Sequence, residues 1–121
     1  MAKDYTVSGL TDAMNRFVGA MGWYGSDSPV QQTPRNIAIS LSLEAAEVLE
    51  HFQWGEEAQA DALAEELADV ALYLLQLAYV TQIDLGQAIV DKLAINYRRF
   101  GPANAAEGAQ KLESGQVVPG A

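Results

Sequence analysis

Apolar residues recur at helical spacing in four stretches of the chain, and no stretch reads as a strand. Leu10, Met14, Phe17, Val18 and Met21 form the first stripe, which predicts a helix over 8–21 with Ser8 as its N-cap. Gly22 breaks it. Residues 22–33 cluster Gly, Ser, Asp and Pro and read as a loop, in which Trp23 and Tyr24 stand out as caps on the core. Thr33-Pro34 is a helix start, a Thr N-cap with Pro at the first helical position. Ile37, Leu41, Ala45, Val48, Leu49 and Phe52 carry this second helix to about Trp54, and Gly55 ends it. A third helix, roughly 57 to 82, has the stripe Leu63, Leu67, Val70, Ala71, Leu74, Leu77 and Ala78. It is apolar around much of its circumference after Asp69, which predicts burial on more than one side and a homo-oligomer interface. Asp84 and Gln87 resemble a capping box ahead of a fourth helix over 85–99, which carries Leu85, Ile89, Leu93 and Tyr97 and stops at Gly101-Pro102. The expected class is all-α: one four-helix domain over 1–100, then a mobile tail over 101–121 with room for a short helix near Ala105–Leu112.

The second and third helices each carry two acids three residues apart, Glu44 with Glu47 and Glu66 with Asp69, and three apart on a helix is one face. Both pairs sit among apolar neighbours: Leu41 and Val48 flank Glu44, while Leu63, Leu67 and Val70 surround Glu66. Four carboxylates aimed at a helix–helix interior cost too much desolvation unless something cationic compensates them. Three readings compete. A solvated acidic face is the plainest, although Glu50, Glu56, Glu57 and Glu65 already supply one. A di-iron bundle repeats Glu-x-x-His on two helices; the chain's one His is His51, with Val48 three residues before it, so that repeat is missing. An all-oxygen set without Cys or His suits a hard cation, Mg2+ or Mn2+, and two such ions about 4 Å apart polarise a phosphoryl group and activate the attacking water. His51 itself, one turn after Glu47, reads as a structural partner for that acid.

Composition narrows the partners. A net charge of −9 and a pI near 4.3 do not suit a nucleic-acid polymer, which needs clustered Lys and Arg, nor an anionic membrane surface. An anionic small ligand fits only with metal as the bridge. The absence of Cys excludes disulfides, thiolate metal sites and thiolate nucleophiles. With no apolar signal core in MAKDYTVSGL and no run long enough to cross a membrane, the expected setting is cytoplasmic.

Glu-x-x-Glu, a spacer and Glu-x-x-Asp on paired helices resemble the all-α nucleoside triphosphate pyrophosphohydrolases, the MazG and dCTP pyrophosphatase superfamily. PRN at 34–36, EAAEVLEHFQW at 44–54, EELADVALYL at 65–74 and IDLGQAIVDKLAINYRRF at 83–100 extend the likeness, which is greatest for the dCTP pyrophosphatase branch. The resemblance implies a Mg2+-dependent hydrolysis of a nucleoside triphosphate to the monophosphate and pyrophosphate, with Mn2+ as a substitute ion. It implies Glu44, Glu47, Glu66 and Asp69 as metal ligands, with Glu47 the candidate general base. It implies Trp23 and Trp54 as walls around the base, Tyr73 against the deoxyribose, Lys92 on phosphate and Asn96 on the base edge. Arg35, Arg98 and Arg99 are further phosphate candidates, or surface salt-bridge partners. It also implies a homodimer or homotetramer, with pocket residues contributed across the interface. One position departs: the dCTP enzymes have a His nine residues before the loop Trp, where this chain has Met14, whose thioether cannot make the same hydrogen bonds. The substrate expectation is therefore dCTP or a modified dCTP, with a broad-range or dUTP-directed house-cleaning enzyme, or a non-catalytic nucleotide-binding helical oligomer, as alternatives.

Overall fold

A computed structural model describes residues 3–102 and 105–115. Five helices and no strands occur among them: α1 Val7–Ala20, α2 Pro34–Glu50, α3 Ala60–Val80, α4 Leu85–Phe100 and α5 Ala105–Glu113. The all-α expectation holds. Residues 103–104 and 116–121, part of the expected tail, lie outside the described residues.

Local chemistry sets the ends. Thr6, not Ser8, caps α1, because its Oγ1 accepts from Gly9 N at 2.9 Å. Thr33 accepts from Asn36 N at 3.1 Å with Pro34 at the first helical position, and Asp84 accepts from Gln87 N at 3.0 Å. The reciprocal half of that last box is not made, since Gln87 Nε2 donates to Asp91 Oδ1 at 2.8 Å instead. The second helix ends four residues earlier than expected, at Glu50; residues 51–54 are turns, and α3 starts only at Ala60, capped by Gln59. Gly22, at φ 74°, and Gln82, at φ 60°, close α1 and α3 in the left-handed conformation. After each, the next backbone N–H reaches back across the last turn, Trp23 to Val18 O at 3.2 Å and Ile83 to Ala78 O at 2.9 Å.

The chain forms two compact units, Met1–Ile83 and Asp84–Ala121. In the first, α3 packs against both α1 and α2, over a core of Met14, Val18, Ile37, Leu75 and Ala78. In the second, α5 packs on α4 through Ala94, Ala105 and Ala109, small side chains that let two helices approach closely. Arg98 pairs with Glu113 across these helices, so of its two expected roles the structure shows salt bridging. Much apolar surface stays open. Leu43 and Leu49 on α2, and Leu67, Leu74 and Tyr79 on α3, are all at least 40% exposed. A single chain covers only part of the circumference of α3.

Candidate active site

The α2–α3 pairing brings three of the four motif acids together. Glu44, Glu66 and Asp69 each offer one carboxylate oxygen within 4.8 Å of the others. Their surroundings are wetter than the sequence suggests: Glu44 and Glu66 are half-buried, while Glu47 and Asp69 are exposed. Glu47 flanks the group beside Glu44. His51 is the second difference. Its Nε2 lies 3.5 Å from Glu66 Oε1, so its partner is on α3 rather than Glu47, one turn back on α2.

The cluster is under electrostatic load. Hydrogen bonding with the Glu66 carboxylate, then partial burial, holds the Glu44 carboxyl above the ordinary range. Glu44 does the same to Glu47, first by hydrogen bonding and then by charge. Glu66 Oε2 is fully buried and has no hydrogen-bond partner among the described residues. An orphaned carboxylate oxygen beside two further acids is the kind of site a cation satisfies. A hard divalent ion therefore fits Glu44, Glu66 and Asp69, all oxygen donors, as it would not fit a thiolate or imidazole set.

Asp69 also lines a cleft of about 770 Å³ bounded by α1, the following loop, the start of α2 and α3. The walls are mainly apolar: Met14, Phe17, Val18, Trp23, Leu72 and Tyr73. Trp23 is placed by the closing turn of α1. Gly22 in the left-handed conformation swings the chain back, and the indole meets Phe17 edge-on, with ring centroids 5.5 Å apart and planes at 86°. Tyr73 is half-buried one turn after Asp69. Trp23, Tyr73 and Asp69 thus share the cleft with Met14, the position of the departure from the dCTP pattern. Trp54 does not join them. It is 92% exposed in the turn after α2 and is not part of the cleft lining. Lys92 and Asn96 lie on α4, in the second unit.

Gln32 and Gln76, which the apolar pattern does not single out as site residues, line the cleft, with Gln76 Nε2 donating to Gln32 Oε1 at 2.8 Å. Gln76 reads in the sequence as an interruption of an apolar run. Its position seven residues after Asp69 and three after Tyr73 puts all three on one helix face, and that spacing was the available signal.

Comparison with known proteins places this arrangement. The model of the MazG-like family matches residues 39–113, from within α2 through α5. The chain belongs to the MazG-like family. A pyrophosphatase from Archaeoglobus fulgidus, solved by crystallography, is similar to this MazG-like chain with a TM-score of 0.68 and 31% identity, over 84% of this chain and 98% of that one. Human dCTP pyrophosphatase 1 is 36% identical over 88 residues, covering 64% of this chain and 51% of that protein. The bovine protein of the same name is 37% identical over 86 residues, 63% of this chain and 50% of that protein. The chain spans about half the length of the curated relatives it matches. No helix of the described residues is long and apolar enough to cross a membrane.

Proposed function

We propose that this MazG-like chain is a divalent-metal-dependent nucleoside triphosphate pyrophosphohydrolase, converting a (d)NTP and water to the (d)NMP and pyrophosphate, with dCTP or a modified dCTP as substrate. The observation that carries the reading is Asp69. It belongs both to the carboxylate group on α2 and α3 and to the lining of the aromatic cleft, so one residue joins a cation site to a base-sized apolar space. The similarity to proteins called pyrophosphatases supports the same reaction.

Glu44, Glu66 and Asp69 would hold the ion, Mg2+ or in its place Mn2+. When bound, it neutralises phosphate charge and polarises the phosphorus under attack. The remaining work falls to the chain. Trp23 stacks on the base, and Tyr73, one turn from Asp69, packs against the deoxyribose and disfavours a 2′-hydroxyl. Glu47 stands exposed beside the three-acid group, where its carboxylate is suited to take a proton from the attacking water. Lys92 on phosphate and Asn96 on the base edge are assigned by their match to the family pattern. Trp54, exposed in one chain, would close the pocket of a second copy in a homodimer or homotetramer, for which the open apolar surface of α2 and α3 also argues. A monomer in sedimentation velocity at micromolar concentration would sink that assembly. A nucleotide-hydrolysing role accords with a cytoplasmic setting.

The test is product identification with Mg2+ and a panel of dCTP, dUTP, dATP and dGTP. Pyrophosphate, not orthophosphate, is expected, and Glu47→Gln should lower its release by about 100-fold or more. No pyrophosphate above background, or full activity in Glu47→Gln, refutes the mechanism. A broad-range or dUTP-directed enzyme is the alternative outcome of the same panel, favoured by Met14, which offers the base no hydrogen bond comparable to that of a His.

A further inference from the structure

Gln76 is 3% exposed, a buried polar side chain in an otherwise apolar stretch of α3. Hydrogen-bond chemistry decides which way its amide faces. The Val30 carbonyl can only accept, so the Gln32 atom 3.2 Å from it is Nε2, the donor. Gln32 Oε1 is thereby turned toward Gln76, where it accepts from Nε2 at 2.8 Å. The Tyr24 hydroxyl donates to Asn15 Oδ1 at 2.7 Å, which leaves its oxygen to accept. Burial raises the titration of that hydroxyl, and the nearby Gln76 amide opposes the rise. Gln76 Nε2 is thus turned toward Gln32, which leaves Oε1 as the other pole of the amide. Its Oε1 accepts from none of the described side chains. Nor is that oxygen sealed off: among the described residues, Glu66 Oε2 is the buried side-chain polar atom without a partner. The free pole of the amide is an acceptor, on a residue that lines the cleft.

We propose that Gln76, oriented by Gln32, is a specificity-determining residue that presents the nucleobase with an acceptor and so selects bases bearing an exocyclic amino group. The inference rests on the reading that the cleft holds the base. Cytosine offers an N4 amino donor at the position where uracil and thymine carry the O4 acceptor. Against Gln76 Oε1 the amino group forms a hydrogen bond, whereas a carbonyl leaves two oxygens opposed in a mainly apolar space. Leaving such groups unpaired is worth roughly 10- to 100-fold in discrimination. This places base selection in a relay running from the loop before α2 to α3, at some remove from Met14's missing hydrogen bond.

The experiment measures kcat/KM for dCTP and dUTP, and the affinity for dCMP and dUMP by calorimetry, in the wild-type chain, Gln76→Met and Gln32→Leu. The readout is the cytosine-to-uracil ratio, because a folding defect lowers both members and leaves the ratio alone. The wild type should favour cytosine by about 10-fold or more, and Gln76→Met should bring the ratio to within about threefold of unity. Gln32→Leu, which frees the Gln76 amide to turn, should lower the ratio as well. A wild type without cytosine preference, or a ratio unchanged in Gln76→Met, overturns the proposal. If no triphosphate yields pyrophosphate but dCMP still binds better than dUMP through Gln76, base selection by Gln76 stands and the pyrophosphohydrolase reading falls.

Discussion

Replacing Glu66 with Gln should make the metal-free protein more stable and deaf to metal. Glu66 Oε2 is buried without a partner, and a carboxylate oxygen of Glu66 lies within 4.8 Å of ones from Glu44 and Asp69. Gln is nearly isosteric, so the packing of α2 on α3 is kept. It removes one charge from the cluster and supplies N–H groups that the neighbouring carboxylates can accept. A buried, unsatisfied polar group costs about 1–3 kcal/mol. The exposure of Asp69 screens the repulsion, so the lower half of that range is the better expectation for this cluster. A gain of 1–2 kcal/mol raises the Tm of a domain this size by roughly 4–8 °C. The wild type should instead gain on metal addition, by about 2.7 kcal/mol when the free ion is at 100 times its Kd. The assay is thermal melting at pH 8, in chelator and across a Mg2+ or Mn2+ titration. Wild type should melt lower than Glu66→Gln in chelator and cross above it as metal is added. A variant that melts lower in chelator, or that keeps the metal-dependent rise, would falsify the assignment of Glu66 as a strained ligand.

The carboxyls of Glu44 and Glu47 set the pH behaviour of the metal-free chain. Both are raised above the ordinary 4.5, so the folded state holds protons that the unfolded state has already released. Their contribution is fully present below pH 4.5 and is lost as pH rises through the raised values, which gives a falling metal-free Tm over that window; saturating Mg2+ should flatten or reverse the slope, because cation replaces proton. A metal-free Tm that climbs across the same window would contradict it. Gly22 is the other position to perturb. With φ at 74°, a Cβ is strained whatever the space around it, so Gly22→Ala should cost about 1–2 kcal/mol and lower the Tm by roughly 4–8 °C. Because the same turn seats Trp23 on Phe17, indole fluorescence should shift toward that of an exposed Trp, and an unchanged spectrum and Tm would count against the placement.

What the sequence determined by itself is local. Thr33-Pro34, Asp84 and Gly22 act within a turn of where they stand, and helix periodicity needs only neighbours three and four residues away, so the elements, the all-α class and the two acid pairs could all be read from the chain. Boundaries slipped where two local solutions compete, as with Thr6 against Ser8, and where α2 gives way to turns at His51. The tertiary structure alone decided whatever depends on the packing of one helix against another. It drew Glu44, Glu66 and Asp69 into one group and left Glu47 at its edge. It gave His51 to Glu66, left Trp54 in the open, and turned Gln76 from a break in an apolar run into a polar group facing a cleft. The physical reason is that a carboxylate or an amide acquires its chemistry from what lies within about 5 Å, and in this chain those neighbours are tens of residues away, as Gln32 is from Gln76.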